Sequence, residues 1–286
     1  MSRTTIGIVG GTGHMGQWFR QFFTDAGHQV LISGRKTTLT TADLAEKSDI
    51  VILSIPMDAA ATMAEKIGPL LRKDQLLMDF CSLKEGIIDV MKRSTEAEVI
   101  GTHPLFGPFT DSLEGQNIIL CPARGTRWLR WLETEFESKG AIVTRMDPVE
   151  HDRNMAVVQG LNHLLTVSLA RTLQKLGMPP DQALLYSTPV FRMKMDLVGR
   201  LFAQDLDLYK NLIGKNRFTL EALDAFSSAL SEGKEALLSG QDDSATAFLA
   251  EIQTFLGDFS HDRLDESNRM LNALPSGGPK RPAEQK

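Results

Sequence analysis

The sequence predicts an α/β fold, with a doubly wound and mostly parallel sheet, followed by a second, all-α domain. Short apolar segments alternate with helical patterns over the first half, whereas the second half contains amphipathic helical patterns and no strand signal. We place the boundary after residue 148. This gives an α/β domain over residues 1–148, a helical domain over 149–273 and a disordered tail over 274–286, where Pro and Gly are frequent.

Each predicted strand is a short apolar run bounded by Gly, Pro, Asp or Ser. The predicted strands cover residues 6–9, 29–33, 50–54, 76–80, 99–102, 118–121 and 141–145. The helical patterns between them cover residues 14–26, 58–71, 83–93 and 126–139. This alternation is typical of βαβ units, so we expect the glycine-rich and polar segments that follow the strands to meet at the carboxyl edge of the sheet.

The second half is predicted to be helical throughout. Helical patterns cover about residues 149–177, 181–204, 206–213, 217–239 and 243–272. Along the first of them, Met155, Val158, Leu161 and Leu165 are three or four residues apart and form one apolar face. Because a small helical domain covers such faces incompletely, we expect a homodimer through this half.

Composition and charge exclude several classes of protein. The chain has 286 residues, with 31 Lys+Arg, 36 Asp+Glu and a net charge of −5, so we expect neither nucleic acid nor a membrane as partner. No apolar run is long enough to span a bilayer and no signal-peptide pattern is present, which predicts a cytoplasmic protein. Cys81 and Cys121 have no metal-binding spacing, so we expect reduced structural thiols and no metal.

A glycine-rich segment follows the first predicted strand directly and opens the first helix. It reads Gly11-Thr12-Gly13-His14-Met15-Gly16, and in this context GxGxxG is the fingerprint of the Rossmann dinucleotide-binding fold. Gly11 is expected to permit the tight turn, Gly13 to let the backbone approach a pyrophosphate, and Gly16 to let helix and strand pack closely. The α/β domain is therefore predicted to bind a dinucleotide.

The end of the second strand indicates which dinucleotide is bound. It reads Ser33-Gly34-Arg35-Lys36-Thr37, without the Asp or Glu that usually binds the ribose 2′-hydroxyl of NAD. Arg35 can bind a 2′-phosphate, and Ser33 or Thr37 can donate hydrogen bonds, so NADP is predicted and NAD is the alternative. The other interpretation of Arg35 and Lys36 is that they belong to a solvated basic loop. The predicted cofactor-binding residues are Gly11, Thr12, Gly13, His14, Met15, Gly16, Ser33, Arg35, Lys36, Thr37, Ser54 and Pro56.

Two further segments that follow strands carry candidate catalytic groups. They span residues 79–86 and 101–108, and the second contains His103 beside Pro104. A histidine held rigidly at the end of a strand is a candidate general base near a nicotinamide, while a structural histidine is the alternative.

The helical half adds candidate ligands for an anionic substrate. Gln159 and His163 are four residues apart and are expected to share a helix face, whereas His151 lies about 120° from His163 and is not expected to act with it. Arg192 and Arg200 lie among apolar neighbours. A buried guanidinium needs either an internal carboxylate or an anionic ligand, and both interpretations stay open.

Five motifs, in order, resemble the prephenate dehydrogenase family. They are Gly-Gly-Thr-Gly-His-Met-Gly16, Asp79-x-x-Ser82-x-Lys84, Thr102-His-Pro-Leu-Phe-Gly-Pro108, Glu150-His-Asp-x-x-Met-Ala-x-x-Gln159-x-x-x-His163 and Val198-Gly-Arg-Leu-Phe-Ala-Gln204. The resemblance covers residues 5–272 and implies a Rossmann domain followed by a helical dimerisation domain. Phe109 is a departure, because many relatives have an acidic or small polar residue there.

The resemblance also implies roles for residues. It implies that His103 accepts the proton of the substrate's C4 hydroxyl, that Ser82 helps to orient that hydroxyl and His103, and that Arg200 binds a substrate carboxylate. Gln159 and His163 would line the pocket, and Arg192 is the second candidate cation for this small dicarboxylate substrate.

The predicted reaction is the oxidative decarboxylation of prephenate to 4-hydroxyphenylpyruvate, with hydride transfer to NADP+, in the tyrosine branch of aromatic amino acid biosynthesis. Arogenate and 4-amino-4-deoxyprephenate are the alternative substrates. More distant alternatives are a hydroxyacid dehydrogenase, an imine reductase or a non-catalytic NADP-binding sensor.

Overall fold

A computed structural model describes residues 3–273, so the tail predicted over 274–286 lies outside the described residues. The chain divides into two compact units, one ending at Met155 and the other beginning at Ala156. Among the described residues, no helix combines the length and the hydropathy needed to cross a membrane.

The first unit is built on a seven-stranded sheet that contains all seven predicted strands. The strands are β1 (Thr5–Val9), β2 (Gln29–Ser33), β3 (Ile50–Leu53), β4 (Leu76–Asp79), β5 (Glu98–Pro104), β6 (Asn117–Arg124) and β7 (Ile142–Arg145). They are arranged in the order β2-β1-β3-β4-β5-β6-β7, and every neighbouring pair is parallel except β5 and β6. The prediction of a doubly wound, mostly parallel sheet is confirmed.

Helices cover both faces of this sheet. They are α1 (His14–Asp25), α2 (Thr41–Lys47), α3 (Met57–Ile67), α4 (Glu85–Ser94), α5 (Arg127–Glu137) and α6 (Pro148–Met155). Successive strand residues point to opposite faces. Val51 and Leu53 belong to the core beneath α3 and α4, while Ile50 and Ile52 belong to the core beneath α1 and α5.

Helix α2 is absent from the sequence prediction. It begins with a capping box, in which the Thr40 hydroxyl accepts the Asp43 N–H at 3.1 Å and the Asp43 carboxylate accepts the Thr40 N–H at 2.8 Å. The sequence pattern Thr-x-x-Asp is a capping signal of this kind, but the helix is only seven residues long and has little room for an apolar period.

Helix α6 begins at the predicted boundary of residue 148 and is grouped by its contacts with the first unit. It packs against α4 and buries His151, Asp152 and Met155. These buried side chains explain why the compact unit extends to Met155.

The second unit is helical, as predicted. It consists of a π-helix (Ala156–Leu161) and the α-helices α7 (Asn162–Lys175), α8 (Pro180–Leu185), α9 (Pro189–Phe202), α10 (Leu206–Gly214), α11 (Thr219–Leu238), α12 (Asp242–Leu256) and α13 (Phe259–Ala273). Three predicted helices are interrupted. The first contains the π-helix, the second restarts at Pro189 behind the Thr188 cap, and the last breaks at Gly257, which has a φ of +52°.

The core of the second unit is small. Its buried cluster consists of Leu173, Ala183, Met195 and Val198, and helices α12 and α13 bury no residue at all. Among residues 3–273, the exposed large hydrophobic side chains lie in this unit, apart from Leu70, Phe109 and Ile142.

Candidate active site

The glycine-rich loop joins β1 to α1 and needs glycine at several positions. Gly10, with a φ of +81°, adopts the left-handed conformation of the turn, and a Cβ atom on the next residue, Gly11, would lie 2.5 Å from Cγ2 of Ile32. A Cβ atom on Gly16 would lie 2.5 Å from the Gly10 carbonyl oxygen, so Gly16 permits the close helix packing expected of it. Gly13 is the N-cap of α1, and no side chain caps this helix, so the N–H groups of its first turn can face an anionic ligand.

A cavity of about 680 Å³ lies beside this loop. The predicted cofactor-binding residues that line it are Thr12, Gly13, Ser33, Arg35, Ser54 and Pro56. Leu39, Thr40 and Thr41 also line the cavity, although none of them was predicted to do so. The cavity therefore extends from the glycine loop to the beginning of α2.

The other predicted cofactor-binding residues do not line this cavity. They are Gly11, His14, Met15, Gly16, Lys36 and Thr37. The Thr37 hydroxyl accepts the Gly34 N–H at 2.8 Å and lies 3.0 Å from the Leu39 carbonyl oxygen, so it shapes its own loop. His14 is exposed, and its ring centroid lies 6.1 Å from that of Phe109.

The electrostatics of the cavity fit an anionic group near Arg35. No carboxylate lines it, and within the described chain Arg35 forms no ion pair. Asp43 lies nearby in sequence but is occupied by the capping box, where hydrogen bonds from Thr40 lower its pKa to about 2. The Ser33 hydroxyl oxygen is buried and has no hydrogen-bond partner among residues 3–273, which leaves it suited to a bound ligand.

His103 lies near the carboxyl end of β5 and is only 3% exposed. Its Nδ1 atom lies 2.9 Å from Nε2 of His151, and Nδ1 of His151 lies 2.8 Å from Oδ1 of Asp152. The Asp152 carboxylate also accepts the backbone N–H groups of Lys84, at 2.8 Å, and Glu85, at 3.0 Å. Three elements, β5, α6 and the beginning of α4, therefore meet at His103.

A buried ion pair lies next to this group. The Lys84 ammonium and the Asp79 carboxylate are fully buried and bonded to each other, and Lys84 also donates to the Thr102 carbonyl at 3.1 Å. Burial, followed by the nearby His151 and Lys84, lowers the pKa of His103 well below its usual 6.5. His103 is therefore neutral at neutral pH, as a general base must be.

Ser82 is half-buried in the loop between β4 and α4. Its hydroxyl group forms no hydrogen bond with another described residue, so Ser82 and His103 are not directly hydrogen-bonded.

The substrate-binding candidates lie in the second unit. Gln159 is in the π-helix and His163 is in α7, where its ring packs edge-on against Tyr209 of α10 with centroids 5.0 Å apart. Burial lowers the pKa of His163. Burial also raises the pKa of Tyr209, and the nearby Arg200 opposes that shift. His163, Tyr209 and Arg200 thus form one neighbourhood.

The two arginines differ from the sequence expectation. Arg200 is exposed rather than buried, and no carboxylate among residues 3–273 pairs with it. Arg192 is half-buried, and its Nε atom is buried without a hydrogen-bond partner in the described chain. An internal salt bridge was one of two interpretations of these residues, and the described residues provide none.

Sequence reasoning missed His151 and Asp152 in the first unit and Tyr209 in the second. The helical period relates His151 only to His163, whereas its hydrogen-bond partner, His103, belongs to a strand 48 residues earlier. The available signal was the motif Glu150-His151-Asp152 itself. The sequence around Tyr209 contains no comparable motif.

The fold and the site together define a nicotinamide-dependent dehydrogenase with a Rossmann-type domain and a helical second unit. The family model described as "Prephenate dehydrogenase, nucleotide-binding domain" matches residues 28–145, and "Prephenate dehydrogenase, dimerization domain" matches residues 147–251. The chain belongs to the prephenate dehydrogenase family and is an NAD(P)-dependent oxidoreductase of the prephenate/arogenate type.

Curated relatives span more than one substrate name. The chain is 29% identical over 272 residues to the T-protein of Enterobacter agglomerans, covering 95% of this chain and 73% of that protein. It is 32% identical over 227 residues to a probable arogenate/prephenate dehydrogenase of Methanocaldococcus jannaschii, covering 73% of this chain and 51% of the relative's length. It is 22% identical over 286 residues to the 4-amino-4-deoxyprephenate dehydrogenase of Streptomyces pristinaespiralis, covering 93% and 96%.

Solved structures share the fold. Prephenate dehydrogenase from A. aeolicus, in complex with hydroxyphenyl propionate and NAD+, superposes with a TM-score of 0.74 at 22% identity, covering 89% of this chain and 97% of that one. Synechocystis arogenate dehydrogenase gives a TM-score of 0.71 at 18% identity, covering 90% and 99%.

Proposed function

We propose that the protein catalyses the oxidative decarboxylation of prephenate to 4-hydroxyphenylpyruvate, with NADP+ as the hydride acceptor. The observation that carries this proposal is His103, a buried and neutral base at the same sheet edge as the glycine-rich loop. Family membership supports the reaction class.

His103 is proposed to accept the proton of the C4 hydroxyl as hydride leaves C4. The bound nicotinamide supplies the hydride acceptor. Loss of the ring carboxylate as carbon dioxide returns the electrons of its C–C bond to the ring, which becomes aromatic, and the C4 oxygen takes a proton back to become a phenol. The protein therefore has to provide one general base and to orient the substrate against the cofactor.

Arg200 and Arg192 are proposed to bind the two substrate carboxylates. Neither guanidinium pairs with a carboxylate among the described residues, and a planar guanidinium can bind a carboxylate through two parallel hydrogen bonds. Gln159 and His163 are proposed to line the same pocket, and Ser82 to orient the C4 hydroxyl.

Arg35 supports NADP over NAD. It lines a cavity that has no carboxylate, and the buried Ser33 hydroxyl can add a hydrogen bond. We expect Arg35→Ala to weaken NADP+ binding by about tenfold or more, the loss expected for one charge-assisted contact, and to change NAD+ binding little. Equal or tighter binding of NAD+ by the unaltered protein would contradict this preference.

A homodimer through the helical unit is the proposed assembly. The exposed large hydrophobic side chains are concentrated in that unit, and α12 and α13 bury no residue in the single chain. A cytoplasmic location stays a prediction from the sequence.

Arogenate and 4-amino-4-deoxyprephenate remain the alternative substrates, because relatives carry both names. The deciding experiment presents the purified protein with prephenate, arogenate and 4-amino-4-deoxyprephenate, each with NADP+ or NAD+, and follows nicotinamide reduction. We expect the highest kcat/KM for prephenate with NADP+. A higher value for another substrate reassigns the substrate, and no reduction with any of them contradicts the proposal.

Arg200→Ala tests the substrate site. Removing a group that binds the substrate and the transition state about equally should raise the KM for prephenate by about tenfold or more while kcat falls less. Lys194→Ala, at an exposed position on the same helix, is the matched control and should leave both constants unchanged. A fall in kcat alone would show that Arg200 does not act by binding substrate.

A further inference from the structure

We propose that Asp152 and His151 are positioning residues, which hold His103 in the tautomer protonated on Nδ1 so that Nε2 is the basic nitrogen. The inference rests on the proposed role of His103 as the base. It adds which nitrogen accepts the proton and what fixes that choice.

The order of hydrogen bonds begins at Asp152. Its Oδ1 atom accepts the Lys84 N–H at 2.8 Å and its Oδ2 atom accepts the Glu85 N–H at 3.0 Å. A backbone N–H group can only donate, so each carboxylate oxygen accepts at least one hydrogen bond, and this arrangement favours the ionised form. The two N–H groups belong to the N-cap and first residue of α4, where the helix dipole also favours a negative charge.

The direction of the next two bonds follows from the first. Because Asp152 Oδ1 is an acceptor, Nδ1 of His151, 2.8 Å away, must carry the proton. When His151 is neutral, its one N–H is on Nδ1, so Nε2 is an acceptor, and it lies 2.9 Å from Nδ1 of His103. His103 therefore donates from Nδ1, and its Nε2 atom is the unprotonated nitrogen. The opposite tautomers would direct a lone pair of His151 at the carboxylate.

The same groups stabilise the product of proton transfer. When His103 takes a proton on Nε2, its Nδ1–H is already bonded to His151, and the Asp152 carboxylate is the nearest counter-charge in that chain. The Lys84 ammonium opposes the new positive charge, but it is paired with Asp79. Asp152 is thus the carboxylate that can balance the imidazolium through His151, in a buried environment where charge interactions are strong.

Nitrogen NMR of the full chain labelled with 15N-histidine tests the tautomers without relying on activity. The chain has six histidines, and His103→Gln and His151→Gln assign the relevant signals. We expect a pyrrole-type Nδ1 and a pyridine-type Nε2 for His103, and the same pattern for His151. A pyrrole-type Nε2 in His103 of the unaltered protein would overturn the inference.

Kinetics test whether the tautomer matters. Asp152→Asn replaces an acceptor-only group by one that can donate to His151, which would reverse the direction of the hydrogen bonds from residue 152 to His103. We therefore expect kcat to fall by about a hundredfold or more while the KM for prephenate changes little. His151→Leu removes the link and should act similarly. His151→Gln should recover part of the loss, because its carbonyl can accept from His103 and its amide N–H can donate to Asp152.

The matched control is the other buried histidine–carboxylate pair of the same unit. His28 Nε2 lies 3.3 Å from Glu135 Oε1, and both side chains are buried. Glu135→Gln perturbs a similar interaction but should leave kcat unchanged. Binding of NADP+ and the thermal unfolding temperature of each variant show that it has folded.

The outcomes separate this inference from the proposed function. An inactive His103→Ala with a fully active Asp152→Asn would overturn the inference and leave the base assignment standing. An active His103→Ala would overturn the base assignment, while the NMR signals would still report the tautomer.

Discussion

At the scale of single residues, His103 shows how a strand can hold a histidine neutral in mild acid. Its side chain is 3% exposed and lies within hydrogen-bonding distance of His151, and the charge of the buried Lys84 is nearby. Burial disfavours the charged imidazolium, so its pKa lies below the usual value of about 6.5. The proton-accepting form is consequently the resting form at physiological pH.

This lowered pKa predicts the response of activity to acid. A general base works when it is deprotonated, so if His103 has its proposed role, kcat should hold as the pH falls through about 6.5 and decline only at lower pH. A pH profile of kcat with prephenate measures this. A decline centred at or above pH 6.5 would contradict it.

Stability should respond with the same sign. The unfolded chain binds a proton on this histidine below about pH 6.5 whereas the folded chain resists it, so stability is full above that pH and is lost as the pH falls towards the folded pKa. Urea unfolding at pH 7 and pH 5 should show a smaller loss for His103→Gln than for the unaltered protein. His261→Gln, at an exposed histidine of α13, should lose as much as the unaltered protein.

The sequence supports His103 as a candidate but not its partners. A histidine that follows an apolar run and precedes Pro104 can be placed at a strand end without a structure. Its contact with His151 depends on how α6 packs against α4, and no local pattern encodes that packing. The burial of Arg200 was inferred from apolar neighbours in sequence, but these neighbours lie on other faces of α9.

At the scale of elements, the short helix α2 links stability to the cavity beside the glycine-rich loop. Thr40 caps the helix and also lines the cavity, together with Leu39 and Thr41. We expect Thr40→Ala to lower the free energy of unfolding by about 1 kcal/mol, the usual cost of losing a cap, and to raise the KM for NADP+.

Urea unfolding and steady-state kinetics measure the two effects of Thr40→Ala. Thr38→Ala is the control, because Thr38 is exposed in the same loop and lies outside both the capping box and the cavity lining. An unchanged stability of Thr40→Ala would show that the capping box contributes nothing measurable.

Strands were easier to predict than the ends of helices. All seven strands are apolar runs with polar boundaries, and each is found within a few residues of its predicted position. The breaks in the helical half follow from single residues. Pro189 restarts a helix and Gly257 ends one, while the π-helix at Ala156–Leu161 has no such marker. The apolar residues keep their helical spacing across these breaks, so the sequence pattern does not predict them.

At the scale of the whole molecule, the two units differ in how completely each buries its apolar surface. The sheet unit has a continuous core on both faces, whereas the helical unit exposes large side chains such as Ile252, at 41%, and Phe255, at 87%. An apolar surface of this extent is typical of an interface. The difference between the units could be expected from helix amphipathicity, but not the exposure of particular side chains.

We therefore expect a mass of about twice 31.6 kDa by light scattering. Ile252→Asp combined with Phe255→Asp should shift the protein towards the monomer, because two charges would have to be buried in the interface. Leu70→Asp, at a 52% exposed position of the sheet unit, is the control and should leave the mass unchanged. A monomeric mass of the unaltered protein would contradict the dimer.

Helix α4 does not supply its own N-terminal cap. No side chain of its N-cap residue Lys84 bonds to the first turn, and the carboxylate that does so, Asp152, lies 68 residues further along the chain. This carboxylate arrives only after a loop of that length has closed, so a chain cut at the predicted boundary of residue 148 would retain His103 while losing both His151 and Asp152. His103 therefore has these two partners in place only when the last helix of the sheet unit has docked against α4.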